Sequence, residues 1–272
     1  MTAPAHRQRT WSFSALNQLA GCGERFRLER IIGVPTRPNV SAVGGTAVHA
    51  ATALIELGEP YSWKDELEKA VAEEEAGSGL ARENFRTFGR ATKDRPNGDD
   101  LKHWADTLGP DMIDGYLKWM AERELLLATG LPPDKNDNTT GVEYDLKVEL
   151  PSPMFGTLGL RGILDRVFLN RDGGHVVIDV KSGSRQALSL QLPAYKIAFE
   201  RHTGSPVVGA AYWMTRRSKL LDRRQLEVWT ERRFVQVLEK YEQQERTGVF
   251  MPVVDDHCQG FCPVQYVCRF GR

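Results

Sequence analysis

The chain has 272 residues, 41% of them hydrophobic and 26% charged, with 36 Lys plus Arg against 36 Asp plus Glu. That is the balance of a globular protein of one or two domains, and it excludes global disorder. No apolar run approaches the ~18 residues of a membrane span, and the start, with Arg7 and Arg9, has no apolar leader stretch, so secretion is not expected.

Ser14 is the expected cap of a first helix carrying Leu16, Leu19, Phe26 and Leu28. Residues 44–57 are Ala-rich and apolar at helical spacing, and Ser62 with Asp65 reads as a capping box opening an acidic helix. Residues 77–110 are polar and weakly periodic. Pro110 then opens a helix through Leu127 that stops at Gly130, Pro132 and Pro133. The period changes after that. Val142, Tyr144, Leu146, Val148 and Leu150 alternate as a half-buried strand, residues 158–169 form a second, and Arg171-Asp172-Gly173-Gly174 turns into a third at 175–181. A helix at 190–201, strands at 207–215 and 226–230, and a helix to Arg246 complete an α/β pattern with helical extensions.

The zero net charge is a cancellation. Residues 1–37 hold six Arg against two acids, and residues 201–240 hold nine Lys or Arg against four acids. Between them, residues 56–75 hold eight acids against two Lys. Each run can be a plain solvated face. A nucleic-acid partner is nevertheless not excluded, because local rather than net charge attracts phosphate. Arg25, Arg27 and residues 216–219, with Tyr212 and Trp213 nearby, are the candidate strand-guiding face; core packing is the alternative for the two aromatics.

Three Asp-x-Lys triplets occur, at 100–102, 145–147 and 179–181. Only the last follows a fully apolar run, Val176-Val177-Ile178, as in a central strand, where i and i+2 share a face. A hairpin can bring Asp165, on the preceding strand, close to Asp179. Two carboxylates on adjacent strands make a hard oxygen site for Mg²⁺ or Mn²⁺, and Lys181 can orient water or stabilise phosphate charge. Edge acids with a solvent-exposed lysine are the plain alternative. His49, on an apolar helix, reads first as a hydrogen-bonded core residue. Gln191 and Tyr195 are four apart on one helix face, and Pro193 between them must lie in the first turn.

Cys258, Cys262 and Cys268 cluster near the end of the chain, and Cys22 stands far upstream. Four cysteines without a leader read as metal ligands rather than disulfides: a Cys₄ site for zinc or an iron–sulfur cluster, or three cysteines with His257. If Cys22 joins, the site ties the first helix to the last segment and brings the basic ends together.

In this order Cys22, Gly45-x3-His49, Gly162-x2-Asp165, Asp179-x-Lys181, Gln191-x3-Tyr195 and the three late cysteines closely resemble the RecB-like nucleases of the PD-(D/E)XK superfamily. The likeness is greatest to their iron–sulfur branch, which includes AddB and the CRISPR-associated adaptation exonuclease. It covers nearly the whole chain. It implies a restriction-endonuclease-like α/β core, with a central mixed sheet flanked by helices. Residues 1–272 would form one nuclease domain: a helical part (1–135), the catalytic core (136–247) and an iron–sulfur segment (248–272) closing back on Cys22. His49, Asp165, Asp179 and the Val180 carbonyl would hold Mg²⁺ or Mn²⁺. Lys181 would be the catalytic lysine, with Gln191 and Tyr195 supporting it or touching DNA. Cys22, Cys258, Cys262 and Cys268 would bind a [4Fe–4S] cluster, though three residues separate Cys258 from Cys262 where many relatives have two, which keeps zinc as the alternative.

The resemblance implies a metal-dependent exonuclease on single-stranded DNA ends in recombination, repair or phage- or CRISPR-related processing. Its setting would be the cytoplasm of a bacterial, archaeal or phage-infected cell. A non-catalytic DNA-binding scaffold, or a nuclease active only in a larger complex, is the rival. The chain has no Walker-type phosphate loop of its own.

Overall fold

The computed structural model describes residues 9–89, 91–93, 96–183, 190–222, 226–255, 258 and 262–271. The chain enters through β1 (Thr10–Ser12) and α1 (Phe13–Gly21). The cap of α1 is Ser12 rather than Ser14: its hydroxyl accepts from the Ala15 amide. The first helix is not continuous, because Cys22 is extended and separates α1 from α2 (Gly23–Phe26), which widens into a π-helical turn over Arg27–Ile32. Then come α3 (Val40–Leu57), capped by Asn39, α4 (Trp63–Ser78), capped by Ser62, the short α5 (Leu101–His103) and α6 (Gly109–Glu122).

The helix expected to reach Leu127 ends at Glu122. Arg123 turns extended and docks on Glu56 at 2.6 Å, which frees β2 (Leu126–Leu127) to pair with β4. β3 (Val142–Ser152), β4 (Gly156–Leu169) and β5 (His175–Lys181) form the expected antiparallel meander. α7 (Gln191–Thr203) crosses over to β6 (Val207–Met214), which lies parallel to β5, and Pro193 falls in the first turn of α7. The next strand is β7 (Lys219–Asp222), paired with β6, and not residues 226–230. Ser218, left-handed at φ 43°, closes the turn early and sets the register, so Leu226–Val228 becomes a short 3-10 turn before α8 (Glu231–Thr247).

The result is a seven-stranded mixed sheet covered on both faces. One face packs α1, α7 and α8 through Leu16, Leu192, Phe199, Phe234 and Leu238; the other packs α3, α4 and α6 through Val48, Leu67 and Tyr116, with Trp104 from the π-helical turn after α5. Contrary to the expectation that no apolar run approaches the length of a membrane span, helix α3, with 18 residues, is long and apolar enough to cross a membrane by length and composition alone. In the fold its Val43, Ala47, Val48 and Ala51 are buried in the second core. Glycine lets α3 sit this close: a Cβ on Gly44 would lie 2.3 Å from the Trp104 ring, and one on Gly45 would lie 2.6 Å from Ser182 Oγ. A third, small cluster joins Leu28 to Val264 and Cys268, so the end of the chain closes on the first helices.

Candidate active site

Alternation along β5 puts Asp179 and Lys181 on one face, and Lys181 Nζ lies 2.6 Å from Asp179 Oδ2. The other Asp-x-Lys triplets do not pair internally. Asp100 caps α5 while Lys102 bonds Asp106, and Asp145 takes Lys135 at 2.5 Å. The remaining Asp179 oxygen is held from α7, accepting from Gln191 Nε2 at 2.8 Å and the Tyr195 hydroxyl at 3.0 Å; Gln191 Nε2 also donates to that hydroxyl at 2.7 Å. Asp165 reaches across from β4, its Oδ2 accepting from the Val180 amide at 2.7 Å. His49, one turn beyond Gly45 on α3, brings Nδ1 to 3.4 Å from the same oxygen.

His49, Glu143 and Asp165 each offer one ligand atom within 4.8 Å of the others, close enough together to share a metal ion. Asp179 is not in this group; its two oxygens face Lys181 on one side and Gln191 with Tyr195 on the other. Glu143 has no counterpart among the residues singled out from the sequence. It lies between inward-facing Val142 and Tyr144, where alternation assigns it to solvent. A backbone φ of 48° turns it instead toward Arg166, whose Nη1 donates to Glu143 Oε1 at 2.9 Å. One sequence signal pointed there: Arg166 is basic within an apolar strand, and a buried guanidinium needs a carboxylate partner.

Charge is crowded here. Burial first, and then the charge of Asp165, push Glu143 up to about 7 and Asp179 up to about 6; burial raises Asp165 as well, against the pull of Lys181 and Arg166. Burial pushes His49 down to about 4, with Asp179 pulling the other way, so the imidazole is neutral and can ligate. Burial alone would lower the Lys181 ammonium. The Asp179 and Asp165 carboxylates outweigh it and hold Lys181 above its usual value, as a cation. Three carboxylates that resist ionising together, beside a neutral imidazole, suit a divalent cation.

The expected strand-guiding face is only partly there. Tyr212 and Trp213 are both buried, and Trp213 stacks on Trp119 at 4.7 Å, so neither ring offers a stacking surface. Arg25 pairs with Glu29 and Arg27 with Glu24, each at 2.7 Å, and Arg216 bonds Asp99 at 3.0 Å. Arg217 and Lys219 remain exposed.

Cys22, Cys258, Cys262 and Cys268, all free thiols, line one small pocket with Val253 and Phe270. The Val253 amide donates to Cys22 Sγ at 3.4 Å, and the Cys258 thiol donates to the Val253 carbonyl at 3.5 Å. Burial raises the Cys262 thiol, and the neighbouring Cys268 and Cys258 add to it. His257, the competing ligand, lies outside the described residues.

The family profile described as the PD-(D/E)XK nuclease superfamily matches residues 10–269. Two curated relatives, both called Gene 69 protein, come from Mycobacterium phages D29 and L5. The chain is 26% identical to the first over 274 residues and 25% identical to the second over 291. Each match spans 94% of this chain and 95% of the relative.

Proposed function

Because the chain belongs to the PD-(D/E)XK nuclease superfamily, we propose that it is a DNA exonuclease acting on single-stranded ends, with residues 1–272 working as one nuclease unit. Nucleases of this superfamily use divalent metals such as Mg²⁺ or Mn²⁺. The observation that carries the reading is the meeting of His49, Glu143 and Asp165 beside the Lys181–Asp179 pair. These residues fit a divalent ion, since the raised carboxylates are the ones a cation would relieve. Glu143, Asp165 and His49 would hold it, with Asp179 and the Val180 carbonyl alongside. Such an ion activates water and neutralises charge at a phosphate.

The chain's own groups do the rest. Lys181, kept protonated by Asp179 and Asp165, stabilises negative charge growing on the phosphate oxygens. Gln191 and Tyr195 fix Asp179 so that its other oxygen stays aimed at Lys181. Arg166 fixes Glu143 and the backbone of Asp165.

The reading includes a [4Fe–4S] cluster on the four thiols, with zinc as the alternative, which would group the chain with the iron–sulfur branch typified by AddB and the CRISPR-associated adaptation exonuclease; its support is that all four line one pocket. Such a site would clamp the Cys22 break to the closing segment, where the Gly23 amide already bonds the Met251 carbonyl at 2.8 Å. The same reading sets the enzyme in DNA recombination, repair or phage- or CRISPR-related processing, in the cytoplasm of a bacterial, archaeal or phage-infected cell.

The test uses anaerobically purified protein, end-labelled single and double strands, and Mn²⁺ or Mg²⁺, beside Lys181→Ala. Shortening of single strands from their ends by wild type alone is expected. Equal degradation by both proteins removes the mechanism, and none by either favours a DNA-binding scaffold. Brown colour with absorbance near ~400 nm identifies the cluster; a colourless protein containing zinc rejects it.

A further inference from the structure

One edge of β4 carries two different neighbours. β1 pairs with it at residues 159–161 and β5 at residues 166–169. Residues 162–165 lie in the fork between them, with no strand partner on that edge among the described residues. A cleft of about 370 Å³ opens at this fork, at the small end of the ~300–1,000 Å³ range of ligand pockets. Gln191 and Tyr195, which hold Asp179, form part of its wall, so it opens beside the candidate active site.

The cleft is cationic. The acid in its lining, Asp145, is 2.5 Å from Lys135 Nζ, and that pair is neutral. Arg30, from the π-helical turn, is held by neutral groups only, with Nε donating to Gln18 Oε1 at 2.8 Å and Nη2 to Ser14 Oγ at 3.3 Å. Arg161, exposed on β4, faces the same space, and neither arginine is in an ion pair among the described residues. Between them Ile163 is 45% exposed, an apolar surface inside a basic cleft. An anion with an apolar body satisfies that combination, and guanidinium forks match phosphate geometry.

We infer that this cleft binds the sugar–phosphate backbone of the strand adjoining the scissile bond, with Arg30 and Arg161 as its phosphate contacts and Ile163 beneath the sugar or base. The inference rests on the nuclease reading above for the identity of the strand. Arg161 and Ile163 point outward in alternation with buried Leu160 and Leu164, and the same strand continues to Asp165. Four strand residues span roughly 13 Å, a reach of one or two nucleotides from the reacting phosphate.

Binding of a fluorescein-labelled single-stranded oligonucleotide in EDTA, over a salt series, tests this without cleavage. Arg30→Gln with Arg161→Gln is expected to weaken binding about tenfold or more. It should also flatten the slope of log affinity against log salt by about 1.4, two contacts at ~0.7 each. Arg171→Gln removes an exposed guanidinium at the far end of β4 and should leave the slope unchanged. No binding by wild type, an unchanged slope in the double variant with its melting intact, or an equal loss in Arg171→Gln overturns the inference. So does competition by a mononucleotide as strong as by the oligonucleotide. The nuclease reading stands or falls separately: binding through the cleft without degradation in Mn²⁺ overturns that reading alone.

Discussion

The buried guanidinium of Arg166 donates to the Glu143 carboxylate at 2.9 Å. The same side chain donates to the Asp165 carbonyl at 2.5 Å, the His49 carbonyl at 3.3 Å and the Thr52 hydroxyl at 2.8 Å. It therefore ties together the segments that carry His49, Glu143 and Asp165. Replacing it with Met leaves Glu143 facing Asp165 with no cation between them. Arg166→Met should cost about 1–3 kcal/mol, the scale of leaving its hydrogen-bond acceptors without a donor, because Arg166 is buried while the Glu143 side chain is 41% exposed; it is seen as a lower urea midpoint. Mn²⁺ affinity by calorimetry should fall with it. Adding Glu143→Gln should restore part of the stability, because it removes the charge left without a partner.

Asp179 is held from two sides, and the two holds have different weights. Tyr195→Phe removes one bond to Oδ1 and leaves Gln191 in place. A fall in kcat of about tenfold with KM unchanged is expected, the mark of an interaction that matters in the transition state. On the proposed mechanism Lys181→Ala removes charge next to the reacting phosphate and should cost about 10³-fold, the scale of losing a preorganised electrostatic group. Steady-state kinetics on a defined oligonucleotide separate the two.

Metal and protons compete for the same oxygens. With Glu143 raised to about 7 and Asp179 to about 6, the metal-free native state binds more protons than the unfolded chain, whose carboxylates titrate near ~4. Stability from these groups is thus fully present at low pH within that window and falls as pH rises from about 4 to about 7. Metal binding needs the ionised forms, so it should release protons below about pH 7 and weaken toward pH 6. In EDTA these groups should make the melting temperature higher near pH 5.5 than near pH 7.5. Added Mn²⁺ should raise it most at the higher pH, and calorimetry in two buffers counts the protons.

The position of α3 depends on having no side chain at Gly44. A methyl there would overlap the Trp104 ring, which is fully buried in the second core, and Gly44 itself is buried on α3. Gly44→Ala gains helix propensity but must push α3 or Trp104 aside, at about 1–3 kcal/mol net cost. Since His49 rides on the same helix, Mn²⁺ affinity should drop even in protein that remains folded. Thermal melting and calorimetry on one preparation check both.

Much of this was legible from the chain alone. Alternation in 175–181 placed Asp179 and Lys181 on one face, and the apolar run before them marked a central strand. The four-residue spacing of Gln191 and Tyr195 put both on one side of a helix, and Pro193 required that helix to begin there. These are local facts, because period-2 and period-3.6 patterns report which face a residue occupies on its own element. Where an early turn intervened, as at Ser218, the local pattern placed the following strand too late.

What lies opposite a residue is decided elsewhere. Glu143 reads as a solvent-facing strand acid until the turn at φ 48° brings it to Arg166. Trp213 looks available for stacking until α6 lays Trp119 over it. The fork on β4 arises from the divergence of β1 and β5, and the four cysteines line one pocket because the last segment folds back on the first helices. Each is a contact between distant segments, set by how both cores fill at once rather than by any periodicity along the chain. The sequence by itself determined which face of β5 carries Asp179 and Lys181 and which face of α7 carries Gln191 and Tyr195. Only the tertiary structure decided that Glu143 joins His49 and Asp165, and that a cleft opens at the fork between β1 and β5, because both depend on contacts between distant segments.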